Sequence, residues 1–114
     1  MLPSVDPLNK CPKLIQLNLS HNKIKNVQAL DSLCWLRMLN LEHNFVQVLE
    51  PRCTSLEVLI ASNNRVEEIN LNELKQLRVL HLQNNRLHNL PQLRMLGLSE
   101  LNISHNQLNQ LAGI

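Results

Sequence analysis

One eleven-position template recurs five times along the chain and restricts its possible folds more than any other feature. The template reads LxxLxLxxNxL, and its copies begin at residues 14, 36, 56, 77 and 98, in steps of 22, 20, 21 and 21 residues. Among its 25 fixed positions, only Ala61 departs from leucine, isoleucine, valine or asparagine. A period of this length predicts a solenoid in which each copy forms one coil and neighbouring coils share a core.

Each copy combines a strand pattern with a return pattern. Alternation around the central LxL places the leucines on one face and the intervening residues on the other, as in a half-buried strand. Apolar residues then follow at intervals of three, as at Ile24, Val27 and Leu30, which favours a 3₁₀ or loosely helical return. We predict an α/β solenoid: an arc of about five repeats with a parallel β-sheet on its concave side and 3₁₀, irregular or short helical segments on its convex side.

An asparagine occupies the same position of every copy, where the chain leaves the strand. Its side-chain amide both donates and accepts hydrogen bonds, so stacked asparagines can satisfy backbone groups that the turn leaves unpaired. The template also explains why 26 of the 114 residues are leucine and 16 are asparagine. The predicted structural ladder consists of Asn22, Asn44, Asn64, Asn85 and Asn106.

The template resembles that of the leucine-rich repeat family, and the resemblance extends from Leu14 to Leu111. The threefold spacing from Ile24 to Leu36 is similar to the short intracellular units of the type-1 protein phosphatase regulatory subunit and of the spliceosomal A-prime protein. Residues 56–64 also resemble a repeat of the Rab geranylgeranyltransferase α subunit. These resemblances imply a non-enzymatic scaffold whose concave face binds another protein, such as a phosphatase catalytic subunit or a subunit of a complex. The alternative is an accessory segment of a larger enzyme or ribonucleoprotein complex.

The two ends and two return segments depart from the regular pattern. We expect residues 1–13 to form a partial N-terminal repeat or cap, and residues 14–114 to hold five repeats without a C-terminal cap. Because solenoids usually need capped ends, this predicts a fragment or short isoform of a longer array, or an end covered by a partner. The return at residues 50–55 is shortened and holds a proline, and residues 91–97 break the threefold spacing, which predicts irregular loops at both places.

Composition excludes several classes of protein. A hydrophobic content of 44% is too high for a disordered chain, and the apolar runs are far shorter than the ~20 residues of a membrane span. A net charge of +2 with one Trp, one Phe and no Tyr argues against direct contact with nucleic acid. Residues 1–7 lack the regions of a signal peptide, and the three cysteines form no CxxC pair. We therefore predict a cytoplasmic or nuclear protein, monomeric or part of a longer chain, without membrane contact.

Strand residues that point away from the core form columns across the copies. Adjacent strands lie about 4.8 Å apart, so equivalent residues are neighbours, and an apolar island with a polar rim is typical of a partner site. The equally weighted alternative is that these residues occupy the strands only because β-branched side chains are favoured there. The predicted partner-binding residues are the apolar Met38, Val58, Ile60 and Val79, the polar Asn40, Glu42, Arg78 and His81, and Trp35 at the edge.

The histidines and hydroxyl groups do not form a site with recognisable chemistry. His21 and His43 precede ladder asparagines in adjacent copies, so their imidazoles should stack and could share a zinc ion, but no third ligand stands beside them. Ser62, His81 and Glu42 lie on one face without an oxyanion hole or a buried base. We predict no catalytic residue, no cofactor and no metal site.

Overall fold

The computed structural model describes residues 15–28, 30, 35–89 and 97–108. The expected N-terminal unit at residues 1–13 therefore lies outside the described residues. The same holds for the C-terminal residues 109–114 and for most of the loop expected at 91–97.

Seven short strands organise the described chain. They are β1 (Gln16–Asn18), β2 (Met38–Asn40), β3 (Val48–Leu49), β4 (Val58–Ile60), β5 (Glu68–Ile69), β6 (Val79–His81) and β7 (Glu100–Asn102). Five of them form one parallel sheet in the order β1-β2-β4-β6-β7. The strands of this sheet follow their order in the chain, and each connection between them returns along the opposite side of the coil. The predicted parallel-sheet solenoid is therefore confirmed.

The convex side consists of irregular returns with isolated tight turns, and the described residues contain no α-helix. Hydrogen bonds between residues three apart close these turns: Leu30 donates to Val27 at 3.0 Å, and Leu74 donates to Leu71 at 3.0 Å. The threefold apolar spacing thus gives single 3₁₀-type turns rather than continuous helices. A second parallel pair, β3 with β5, was not expected from the sequence, because two extended residues leave no periodic signal.

The core is a stack of leucine layers. The central strand residues Leu39, Leu59 and Leu80 are fully buried, and Ala61 is buried at a position that is leucine in its neighbours. At β7 the equivalent Leu101 is 37% exposed, because no described strand follows it in the sheet. Each inner coil is therefore stabilised by apolar contact with both neighbours, as in other repeat architectures.

The loop expected at 50–55 has neither strand nor helix but packs closely onto the core. Pro51 and Cys53 are buried, and the Cys53 thiol donates a hydrogen bond to the Leu30 carbonyl at 2.9 Å. The Ser55 hydroxyl donates to the Leu36 carbonyl at 2.6 Å. Both polar groups bond the preceding coil, so this shortened return keeps the stacking of its neighbours.

Buried asparagine side chains join consecutive coils. Asn64 donates from its amide nitrogen to the carbonyls of Ala61 (3.1 Å) in its own coil and Leu41 (2.9 Å) in the preceding coil. Its amide oxygen accepts from the Val46 N–H at 3.1 Å. The side chains of Asn44, Asn85 and Asn106 make equivalent bonds within their own coil and to the coil before. Asn22 donates within its own coil, to Leu19 and Ser20.

The residue before each ladder asparagine adopts a left-handed backbone conformation. Its φ is between 57° and 60° at five positions: His21, His43, Asn63, Asn84 and His105. Asparagine and histidine are among the residues that tolerate this region, whereas β-branched residues are strongly disfavoured there. The recurrent histidines and asparagines of this position are therefore explained by backbone geometry.

Replacement of an inner ladder residue should destabilise the fold. Asn85→Ala removes the partner of the buried Val66 N–H and one of the two side-chain donors to each of the Ala61 and Leu82 carbonyls, so we expect a loss of about 1–3 kcal/mol in the free energy of unfolding. Urea denaturation measures this loss. Asn72→Ala, at an exposed turn, is the matched control and should be nearly neutral; equal losses for the two variants would contradict the ladder's role.

The left-handed turn makes a second stability prediction. Asn84→Val should lower the free energy of unfolding by about 1–2 kcal/mol, because a β-branched side chain clashes with its own backbone at positive φ. Asn84→Gly tests the conformational cause, since glycine adopts this φ without strain and should stay close to wild type. Thermal denaturation measures the stability of both variants. An Asn84→Val variant as stable as Asn84→Gly would refute the explanation.

Candidate protein-binding face

The parallel sheet aligns equivalent strand residues in two outward-facing columns. The first column contains Gln16, Met38, Val58, Val79 and Glu100, and the second contains Asn18, Asn40, Ile60, His81 and Asn102. The leucine between the two columns points into the core on each inner strand. The two columns therefore form the floor of the concave face.

Four apolar side chains lie together at the centre of this face. Met38 pairs in register with Val58, and Val58 pairs with Val79. Ile60 lies two residues from Val58 on β4, on the same side of the sheet. All four are half-buried, so each leaves part of its apolar surface open. The structure thus brings together the four residues named from the sequence.

The second column changes its role along the array. In β1, β2 and β7 it holds asparagines, and their side-chain oxygens accept backbone N–H groups two residues later, at 3.0, 2.9 and 3.1 Å. Asn40, predicted to bind a partner, therefore commits its oxygen to the N–H of Glu42. At the two central strands the position holds Ile60 and His81, so it can contribute other chemistry to the face.

Two of the predicted polar residues are held by side-chain partners. The Glu42 carboxylate accepts a hydrogen bond from the Ser62 hydroxyl at 3.2 Å, and Ser62 is fully buried rather than displayed on the face. His81 pairs through Nε2 with the Glu100 carboxylate of the next strand. Beside these groups, the Gln83 side-chain oxygen is buried and without a hydrogen-bond partner among the described residues.

Charged residues alternate where the chain enters the strands. Glu57 lies between Arg37 and Arg78, since Val58 bonds the Arg37 carbonyl and Arg78 bonds the Glu57 carbonyl. The Arg37 Nε is 3.7 Å from a Glu57 carboxylate oxygen. The sequence singled out Arg78 but missed Arg37 and Glu57, although all three hold the position directly before a strand. Trp35, at the same edge, is 60% exposed.

The histidine pair stacks without forming a metal centre. The imidazole rings of His21 and His43 lie with their centroids 4.5 Å apart and an interplanar angle of 16°. Among the residues that the structure describes, no three His, Cys, Asp or Glu side chains come together as a metal site would require. The described ranges also contain no helix with the length and apolar composition needed to cross a membrane.

Comparison with known protein families gives a match over the first part of the chain. The sequence profile of the family described as Leucine rich repeat matches residues 4–46. No curated protein sequence matches the chain. The matched residues contain the first two of the five copies of the template, so over this part the match agrees with the resemblance found in the sequence.

Three similar solved structures are bacterial. An internalin from Listeria monocytogenes has 25% identity and a TM-score of 0.88, over 96% of this chain and 34% of that one. A leucine-rich repeat protein of Leptospira interrogans has 30% identity and a TM-score of 0.84, over 91% and 29%. The functional domain of InlJ from Listeria monocytogenes, which includes a cysteine ladder, has 20% identity and a TM-score of 0.82, over 91% and 23%. The chain thus spans at most about a third of these structures.

Proposed function

We propose that this chain is a non-enzymatic module that binds another protein through the concave face of its sheet. The observation that carries the proposal is the apolar island of Met38, Val58, Ile60 and Val79. An apolar patch inside a polar rim is typical of a protein interface. Leucine-rich and other solenoid repeats commonly use an extended concave surface for binding.

The rim supplies polar groups in a fixed arrangement around the island. Glu42 is oriented by Ser62, and His81 is oriented by Glu100, so both can present polar atoms to a partner at little further cost in side-chain entropy. Arg78 and Trp35 extend the rim at the strand-entry edge, and Trp and Arg are enriched among residues that dominate binding energy. These features support a partner surface larger than the apolar island alone.

The same groups support a role without chemistry. The Ser62 hydroxyl donates to the Glu42 carboxylate, but it is fully buried, so a substrate on the concave face does not reach it. His81 instead pairs with Glu100. Among the described residues, Ser62 is buried and His81 bonds Glu100, so Ser62, His81 and Glu42 do not form a hydrolytic site. A phosphatase or complex subunit as partner, and a cytoplasmic or nuclear location, remain predictions from the sequence.

Charge introduced at the island should abolish partner binding. We expect Val58→Asp to prevent capture of the partner from a cell extract by the purified tagged chain, because a carboxylate would be desolvated at the centre of the interface. Val48→Asp is the matched control, since Val48 is 42% exposed on the convex strand β3. Quantitative mass spectrometry of the captured proteins provides the measurement.

Two further readouts make this result decisive. Ile60→Asp, in the second column, should lose the same proteins, and thermal denaturation confirms that each variant is folded. Capture of an unchanged set of proteins by folded Val58→Asp and Ile60→Asp would refute the proposed face. That outcome would favour the alternative in which the valines and the isoleucine stabilise the strands and do not contact a partner.

A further inference from the structure

A second surface lies where the chain leaves the concave strands. We call it the cationic side. It consists of the outward positions one before, one after and three after each ladder asparagine, which around Asn22 are His21, Lys23 and Lys25. The positions two after the ladder residue, such as Ile24, Val46 and Val66, are fully buried. Because side chains alternate around these buried residues, the positions on either side of them point outward, and all but Phe45 and Asn63 of the described ones are exposed.

Hydrogen bonds between coils place the cationic side in register. Phe45 donates its N–H to the carbonyl of Ile24 at 2.9 Å, and Arg65 donates to Val46 at 3.1 Å. Arg86 continues the series by bonding Val66 at 2.9 Å. The positions directly after the ladder residues therefore form one column, whose first four members are Lys23, Phe45, Arg65 and Arg86.

The charge of this surface differs from that of the whole chain. Its columns hold Lys23, Lys25, Arg65 and Arg86, four of the chain's eleven lysines and arginines, but only Glu67 of its nine acidic residues. The chain as a whole has a net charge of only +2. The cationic side is thus a local concentration of positive charge that the overall composition conceals.

Aromatic contacts hold part of this surface in place. The Arg65 guanidinium carbon lies 4.5 Å from the centroid of the Phe45 ring, a cation–π contact that restricts the arginine while leaving its N–H groups available. Beside it, the stacked His21 and His43 rings are exposed. An imidazole carries at least one N–H in either protonation state, so these rings can donate hydrogen bonds in both.

We propose that the cationic side binds an acidic segment of a protein, a run of glutamate or aspartate residues in extended conformation. Arginine pairs with a carboxylate through two parallel hydrogen bonds, so it binds carboxylates more strongly than anions that form only one such bond. The column from Lys23 to Arg86 crosses three coil spacings, about 14 Å at about 4.8 Å each. An extended peptide covers this distance with about four to five residues. The surface is separate from the concave face, so this binding does not depend on the function proposed above.

Fluorescence anisotropy with a labelled hexaglutamate peptide tests the proposal on the full chain. Hexalysine and a labelled thymidine oligonucleotide serve as comparison probes. The test variant is Arg65→Glu with Arg86→Glu, and the matched control is Arg52→Glu with Lys75→Glu, which makes the same change in net charge away from the column. Circular dichroism checks that both variants are folded.

We expect hexaglutamate to bind, with an affinity that falls as salt is raised, and hexalysine not to bind. The Arg65/Arg86 variant should bind hexaglutamate at least about tenfold more weakly, while the Arg52/Lys75 control stays close to wild type. Equal losses in the two variants would overturn the proposal, because the attraction would then reflect net charge alone. Tighter binding of the oligonucleotide than of hexaglutamate would also overturn it, in favour of a nucleic acid surface.

Discussion

The hydrogen bonds of the buried asparagine side chains are the interaction on which the rest of this structure depends. Each inner ladder residue bonds carbonyls of its own coil and of the coil before, and accepts an N–H from that earlier coil. Leucine burial stabilises the stack but is non-directional, whereas these bonds have fixed donors and acceptors. The ladder therefore sets how one coil is aligned with the next, and with it the register of the sheet.

Both proposed surfaces follow from that register. With the coils aligned, Met38, Val58 and Val79 become neighbours across three strands, although some twenty residues separate them along the chain. The same alignment brings Phe45 beside Arg65 on the cationic side. Positions that serve the coil itself are constrained to leucine, asparagine or a residue that tolerates positive φ. The remaining positions are free to carry chemistry, and they differ from repeat to repeat.

The sequence was sufficient for the solenoid and the strand columns, because both follow from a strict local period. The strand pairing of Met38 with Val58 required only the spacing of the template. Contacts between specific side chains carried no such signal. The burial of Ser62 against Glu42, and the pairing of His81 with Glu100, depend on which rotamer each side chain adopts.

Backbone effects were also missed from the sequence. The histidines before the ladder residues suggested a metal hypothesis, whereas their shared property is a φ near 58°. Pairing of β3 with β5 arises where two returns happen to run extended side by side. Arg37 and Glu57 form an ion pair because both occupy the position directly before a strand, and the spacing of the template already makes these two positions neighbours.

Native-state hydrogen exchange at the ladder tests the central claim most directly. The Val46 and Val66 amides donate to Asn64 and Asn85 inside the stack, whereas Asn72 donates to Asn70 in an exposed local turn. If the ladder joins the coils, Val46 and Val66 exchange only through opening of the whole stack, with the same free energy as the sheet amide of Val58, and Asn72 exchanges much faster. Exchange of Val46 and Val66 as fast as that of Asn72, with Val58 still protected, would contradict this account.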